Sequence, residues 1–209
     1  MALIHTATLT PSKLGLLTGW LPTRTWFTGD AEIWQVGAYR FDDPAGEVGV
    51  ETLLVEGGNG SVFHVPLTYR GSPRLGGEEF LVGTAEHSVL GKRWVYDACS
   101  DPVWATALAT TVLTGGTQVE EFVDADGRLE RRAPTATVLG SGAPGTPGTP
   151  VDPIDAVSCR DDGPTTIVQS KNYELVVVRV IGAEVRAEHT LTRSWAYGGP
   201  AVLAGVRRI

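Results

Sequence analysis

Apolar residues recur at helical spacing near the start of the chain, at Leu14, Leu17 and Leu21. The dipeptide Thr10-Pro11 comes just before them, and a threonine followed by a proline is typical of a helix start. Strand-like patterns follow, separated by the turn sequences DDPAG and EGGNG. We therefore predict a short helix and then an antiparallel meander whose strands cover residues 32–41, 47–55 and 61–69.

The third predicted strand alternates most clearly. Phe63, Val65 and Leu67 would point to one face, and His64 and Pro66 to the other. We therefore expect His64 to face water. Because proline has no N–H to give to a ladder, we place this strand at a sheet edge.

The rest of the chain is predicted to hold one further helix and several strands. Asp101-Pro102 repeats the cap-plus-proline signal, and an Ala-rich run continues to Gly115-Gly116, which is a typical helix stop. The turn DADG suggests a hairpin. The predicted strands are residues 92–96, 118–123, 128–139, 165–169, 173–181, 185–195 and 201–207.

The composition changes at residues 140–153, which read GSGAPGTPGTPVDP. A Gly/Pro tract of this kind forms neither a ladder nor a helix, so we interpret it as a linker or an exposed loop. The chain is therefore divided into residues 1–139, the tract 140–153, and a β-rich segment 154–209 that we expect to pack on the first part.

The net charge and the lengths of the apolar runs exclude some classes of protein. The net charge of -7 argues against a nucleic-acid partner, because there is no cationic surface to displace counterions. No run approaches the 18 or so apolar residues of a membrane span, and the first residues lack a basic leader, so we expect a cytoplasmic protein. Cys99 and Cys159 form no CxxC or zinc pattern, which favours buried free thiols over a disulfide and predicts no metal site.

Two motifs carry a resemblance to a known family. WLPTRTWF at residues 20–27 and WVYDACSDP at residues 94–102 resemble the N-terminal cap subdomain of actinobacterial maltokinases and of trehalose synthase–maltokinase fusions. The resemblance implies an α+β fold, in which a curved, mostly antiparallel sheet packs on one or two short helices in a cystatin-like arrangement. A β-rich C-terminal segment would follow.

A second, shorter likeness concerns residues 163–181, GPTTIVQSKNYELVVVRVI, which are similar to the first strands of a kinase ATP-binding lobe. The nucleotide-pairing lysine is absent, because the matching place falls at residues 177–179 and Lys171 lies in the turn. Phosphoryl transfer also needs magnesium ligands and a group that orients the nucleophile, and too few residues follow Ile181 to supply them. We therefore expect no stand-alone kinase activity, no catalytic residues and no cofactor.

The same two motifs contain the candidate binding or structural residues. Asp97 could pair with Arg24 and so fasten the helix to the sheet, or it could contact a ligand. The aromatic residues could stack on a sugar, although aromatic side chains are more often part of a core. The candidates are Arg24, Trp26, Trp94, Tyr96 and Asp97.

Three functions remain open from the sequence. The first is a non-catalytic accessory or interaction protein that has a partner in α-glucan, maltose or trehalose metabolism. The second is a small-molecule binder with a carbohydrate ligand. The third is a carbohydrate-active enzyme of unrecognised type.

Overall fold

The computed structural model describes residues 2–4, 8–30, 32–125, 128–149, 151–195 and 198–209. The helices are α1 (Lys13–Trp20) and α2 (Pro102–Thr114). The strands are β1 (Ala2–Ile4), β2 (Leu9–Thr10), β3 (Ile33–Phe41), β4 (Gly49–Gly57), β5 (Val62–Arg70), β6 (Leu81–His87), β7 (Gly91–Asp97), β8 (Glu121–Ala125), β9 (Arg128–Arg132), β10 (Thr137–Gly140), β11 (Ser158–Asp162), β12 (Thr165–Gln169), β13 (Tyr173–Val178), β14 (His189–Trp195) and β15 (Gly198–Arg208). Short 3₁₀ turns cover Leu21–Thr23, Glu78–Phe80 and Ala98–Ser100.

The strands form three sheets. The N-terminal sheet has the order β2-β6-β7-β5-β4-β3, and the C-terminal sheet has the order β10-β14-β15-β13-β12-β11. Among the described residues, the strand pairs of these two sheets are antiparallel. A small sheet, β1-β8-β9, contains a parallel pair of β1 with β8. The predicted α+β class with a β-rich C-terminal segment is confirmed.

The helices and sheets stack in layers. Alternate residues of β4 point to opposite faces of the N-terminal sheet, so Leu53 packs with α1 residues and Leu54 packs with α2 residues. Helix α2 also contacts the C-terminal sheet, because Leu108 and Leu175 belong to the same core cluster. The order of layers is therefore α1, N-terminal sheet, α2, C-terminal sheet.

Helix α2 begins and ends close to the positions predicted. The Asp101 side chain accepts a hydrogen bond from the Val103 backbone N–H at 3.1 Å, and Pro102 occupies the first turn, where its missing N–H is not needed. Gly115 ends the helix with φ of 70°, a conformation that favours glycine. The helix buries apolar residues on two sides because a sheet lies on either side of it, whereas Thr110 is exposed.

Helix α1 begins later than predicted. Ser12 is the N-cap, and its hydroxyl accepts a hydrogen bond from the Gly15 backbone N–H at 3.1 Å. Thr10 belongs instead to β2, where it pairs with Glu86 of β6. Threonine favours strands as well as helix caps, and the pairing with β6 is a long-range contact that the local pattern does not contain.

Two expectations for β5 were wrong. His64 is fully buried rather than exposed, because its face of the sheet is covered by α2 and the C-terminal sheet. The strand is also interior, lying between β4 and β7. Pro66 fits there because its nitrogen, which has no hydrogen, points to the same side of the strand as the His64 N–H. On that side no strand pairs with Pro66, since the Phe63–Val180 bridge lies before it and the pairing with β7 begins only after it, at Leu67.

The strand predicted over residues 128–139 is divided in two. β9 pairs with β8 in the small sheet, whereas β10 pairs with β14 in the C-terminal sheet. Strands β1, β2, β6 and β11 were not predicted. β6 pairs with β7 as a hairpin around residues 87–91, and β11 pairs with β12 along five residues, although four of those in β11 are exposed.

The start of the Gly/Pro tract lies against the end of α2. The Gly142 backbone N–H donates to the Val112 carbonyl at 2.9 Å, and the Gly140 N–H donates to the Gly116 carbonyl at 2.9 Å. A Cβ atom at Gly142 would lie 2.1 Å from the Leu113 carbonyl oxygen. Glycine is therefore required for the chain to approach the helix end and use its free carbonyl groups.

We expect Gly142→Ala to lower the free energy of unfolding by about 2 to 4 kcal/mol, because the new methyl group forces the tract away from α2. Urea denaturation followed by tryptophan fluorescence measures the change. Gly19→Ala is the matched control: its added Cβ meets nothing within 4 Å, and alanine favours a helix, so its stability should stay equal or rise. Equal stability of the two variants would contradict the proposed close approach.

Candidate functional site

A group of polar side chains lies where the two large sheets meet. We call Asp97, Arg179, Thr166, His64 and Tyr39 the junction cluster. Backbone hydrogen bonds also cross at this place, from the His64 N–H to the Arg179 carbonyl at 2.9 Å and from the Ile181 N–H to the Val62 carbonyl at 2.8 Å. The junction cluster is therefore flanked by main-chain bonds between β5 and the segment after β13.

The centre of the junction cluster is a buried ion pair. Arg179 Nη2 lies 2.6 Å from Asp97 Oδ2, and the Arg179 side chain is 0% exposed. Its Nε donates to Thr166 Oγ1 at 2.7 Å, and its guanidinium lies 5.0 Å from the centre of the Trp26 ring. Burial disfavours the charged guanidinium, but the charge and hydrogen bond of Asp97, together with the nearby Cys99 and Asp161, outweigh burial and raise the Arg179 pKa, so the arginine is charged.

His64 is the neutral member of the junction cluster. Its Nδ1 lies 2.8 Å from the Val178 carbonyl oxygen, which can only accept, so Nδ1 carries the proton. Its Nε2 therefore accepts from the Tyr39 hydroxyl at 2.8 Å. Burial, assisted by the charges of Arg179 and Arg193, lowers the His64 pKa to about 3, although the hydrogen bond to Val178 opposes the shift.

The structure brings together two of the candidate residues from the sequence. Trp26 and Asp97 both contact Arg179. The predicted partner of Asp97 was wrong: it is Arg179, whereas Arg24 lies 5.1 Å from the Trp20 ring and donates to Thr23.

Trp94 and Tyr96 lie on the other face of the N-terminal sheet. The Tyr96 hydroxyl accepts from the Arg74 backbone N–H at 2.8 Å, and the ring is buried. Trp94 is half-buried, with the Lys92 ammonium 5.2 Å from its ring centre. The rings of Trp20, Trp26 and Trp104 belong to the core, so none of them offers a face to a sugar.

Sequence reasoning missed the importance of Arg179. The signal was present, because an arginine inside the apolar run ELVVVRVI has to find an acidic partner if the strand is buried. That partner lies 82 positions earlier in the chain, and no local pattern connects the two residues.

A surface cavity of about 460 Å³ lies at the end of the N-terminal sheet, beside the start of α1. We call it the Glu51 groove. Its charged or polar lining residues are Lys13, Arg40, Asp42, Asp43, Glu47, Glu51, Tyr69, His87 and Arg93, and its apolar lining residues are Leu9, Phe41, Val48, Val50 and Leu90. None of these residues was a candidate from the sequence, because they come from four separate segments that only the fold brings together.

Glu51 lies at the floor of the groove and is almost fully buried. It contacts Lys13 Nζ at 2.6 Å and accepts from the Tyr69 hydroxyl at 2.9 Å, while Arg40 Nη1 lies 3.7 Å away. Burial alone would raise the Glu51 pKa, but the two cations and the hydrogen bonds outweigh it and hold the pKa below its ordinary value. The Tyr69 pKa is raised by burial and by the Glu51 charge, so its hydroxyl keeps its proton.

The described residues offer few other groups for catalysis or metal binding. Both cysteines are free thiols, as predicted, but only Cys99 is fully buried. Burial raises the pKa of both thiols, to about 12 for Cys159, so neither is a thiolate at neutral pH. The described ranges contain no group of three or more His, Cys, Asp or Glu residues able to hold a metal ion. No helix in these ranges has the length and hydropathy to cross a membrane.

Removing the negative charge at the junction should destabilise the fold strongly. We expect Asp97→Asn to lower the free energy of unfolding by about 3 to 5 kcal/mol, because it leaves the Arg179 charge buried and uncompensated. Asp162→Asn is the control, since its pair with Arg160 is exposed and should contribute less than about 1 kcal/mol. The double variant Asp97→Asn/Arg179→Met should recover part of the loss, and additive losses would contradict direct coupling.

Acid should destabilise the protein through His64. Its pKa of about 3 in the fold lies below the ordinary 6.5, so this contribution is complete above about pH 6.5 and is lost as the pH falls towards 3. The full effect is on the order of 5 kcal/mol. Urea denaturation from pH 4 to 8 should show a weaker pH dependence for His64→Gln than for the unaltered chain and for His189→Gln. An unchanged slope in His64→Gln would show that another group is responsible.

The comparisons with known proteins concern the N-terminal sheet. No curated protein sequence matches the chain. Residues 20–101 match the family model of the maltokinase N-terminal cap domain, which is less than half of the chain. The match begins at the end of α1, includes β3 to β7, and stops at Asp101, the N-cap of α2. The match confirms the resemblance drawn from the two tryptophan-containing motifs and locates it at residues 20–101.

Proposed function

We propose that the protein is a non-catalytic accessory or interaction module, related to the maltokinase N-terminal cap and linked to α-glucan, maltose or trehalose metabolism. The observation that carries the proposal is the match of residues 20–101 to the cap family together with the use made of its motif residues. Trp26 and Asp97 are both committed to the buried contact with Arg179. Their roles stabilise a scaffold rather than a reaction.

The acidic residue at the start of α2 has a similar role. Asp101 is fully buried, caps α2, and accepts two hydrogen bonds from Arg70 at 2.9 and 2.8 Å. Its Oδ2 also accepts from the Thr68 hydroxyl at 2.9 Å. Both carboxylate oxygens are therefore bonded to groups of the fold, rather than directed to a substrate. This favours a structural role for the motif.

Binding to purified enzymes tests this proposal. We expect saturable binding to one of three immobilised candidates: a maltokinase, a trehalose synthase or a glucan-branching enzyme from the same organism, measured by biolayer interferometry. Incubation of the pure protein with Mg-ATP and maltose should give no sugar phosphate. Turnover by the pure protein would contradict the non-catalytic proposal. The activity of Asp97→Asn should then fall in proportion to its folded fraction, which assigns the turnover to the folded chain. Absence of binding to all three enzymes would contradict the metabolic link.

The Glu51 groove supports a second candidate function, the binding of a small molecule such as a carbohydrate. Its volume lies within the range of small-molecule sites, and it combines apolar walls with a few polar groups held in place by the fold. The Tyr69 ring at the floor supplies an aromatic surface, while Lys13 and Arg40 supply donors. This set differs from the tryptophans first considered for sugar stacking, most of which lie in the core.

Thermal unfolding in the presence of ligands tests the second candidate. A ligand at ten times its dissociation constant adds about 1.4 kcal/mol to the stability, which is roughly 3 to 5 °C in Tm for a chain of this size. We expect such a shift with maltose or trehalose and a smaller one in Tyr69→Ala, with Trp94→Ala as the aromatic control outside the groove. Equal shifts in both variants would place the ligand elsewhere.

A further inference from the structure

The cations of the Glu51 groove have more hydrogen-bond donors than the fold uses. Among the contacts of the described residues, the Arg40 guanidinium has one partner, Glu51, at 3.7 Å, which is longer than a hydrogen bond. The Arg93 guanidinium donates from Nη2 to the Leu90 carbonyl, and its Nε is buried without a partner in the described part of the chain. A guanidinium has five N–H donors, so both arginines have donors to spare for a ligand.

Among the described residues, neither Glu51 nor Asp43 accepts a hydrogen bond from Arg40 or Arg93. The charge of Glu51 is balanced by Lys13 at 2.6 Å. The carboxylate of Asp43 accepts from three backbone N–H groups of its own turn, at 2.9 to 3.0 Å, from Ala45, Glu47 and Val48. The carboxylate of Glu47 is exposed at the rim. The interior therefore favours acceptor atoms, and the rim favours donors.

The floor of the groove is open because of a glycine. Gly49 pairs with Tyr69 across β4 and β5, so both residues face the groove side of the sheet. A Cβ atom at Gly49 would lie 3.4 Å from the Tyr69 Cβ, and a larger side chain there would extend into the space above the ring. The missing side chain leaves a contact surface for the carbon skeleton of a ligand.

We propose that the Glu51 groove binds a small hydroxylated oxyanion, either a carboxylate or a phosphate ester. The oxyanion accepts hydrogen bonds from the unused N–H groups of Arg40 and Arg93, which are stronger than neutral bonds because the partners are charged. The carbon skeleton lies over Tyr69, and hydroxyl groups donate to Glu47 at the rim. This inference rests on the small-molecule candidate above and is independent of the accessory role.

Isothermal titration calorimetry with matched probes tests the inference. The carboxylate probe is gluconate and its neutral match is sorbitol; the phosphate probe is glycerol 3-phosphate and its neutral match is glycerol. We expect saturable binding of at least one anion, at least tenfold tighter than its neutral match, and weaker at higher ionic strength. The anion that binds identifies the head group.

Three variants locate the binding. Arg40→Gln and Arg93→Gln should each weaken anion binding at least tenfold, and Arg160→Gln, an exposed arginine of the C-terminal sheet, should leave it unchanged. Gly49→Val fills the space over Tyr69 without removing a charge, and it should also abolish binding. Thermal unfolding of each variant shows whether it is folded. If an arginine variant does not fold, Gly49→Val still tests the location of the binding.

The outcomes separate this inference from the function on which it rests. If sorbitol or glycerol binds as tightly as its anion and Gly49→Val removes that binding, the small-molecule function stands and the oxyanion inference is wrong. If none of the four probes binds, and neither maltose nor trehalose shifts the Tm, both are wrong. If the anions bind equally to the Arg40, Arg93 and Gly49 variants, the contact is a non-specific ion effect and the inference is overturned.

Discussion

The fold depends on one buried electrostatic contact, between Asp97 at the end of β7 and Arg179 just after β13. Taking both charges out of water is costly, so each is tolerable only while the other stays within hydrogen-bond distance. The adjacent backbone bonds between β5 and the residues after β13 hold the two side chains in this geometry. The contact therefore fixes how the C-terminal sheet packs relative to the N-terminal sheet, with α2 enclosed between them.

Local sequence signals were sufficient for elements whose ends are determined by short-range chemistry. The start of α2 at Asp101-Pro102, its stop at Gly115, and the strand Thr165–Gln169 all follow from cap, proline, glycine and alternation rules. The same rules failed at His64. Alternation shows that the two faces of β5 differ in polarity, but it does not show that the more polar face is buried under other elements. His64 is covered by α2 and by the C-terminal sheet, whose contacting residue Val178 lies more than a hundred positions later in the chain.

The candidate groove could not be predicted for a related reason. Its floor residues Glu51 and Tyr69 look like ordinary polar positions of half-exposed strands, and Lys13 looks like a solvated helix residue. Only the antiparallel register of β3, β4 and β5 places them side by side. The motifs that resemble the maltokinase cap mainly stabilise the fold. The residues that carry the resemblance and the residues that a ligand could reach are therefore largely different sets.

The enclosure of α2 has a consequence for how this chain can change over time. A helix that packs against a sheet on two sides can shift, or change a buried side chain, only if residues of both sheets adjust together. A change of side-chain volume in the C-terminal sheet is therefore transmitted through α2 to the N-terminal sheet. The same dependence holds at the junction, where a substitution of Asp97 alone leaves the buried Arg179 charge without its partner.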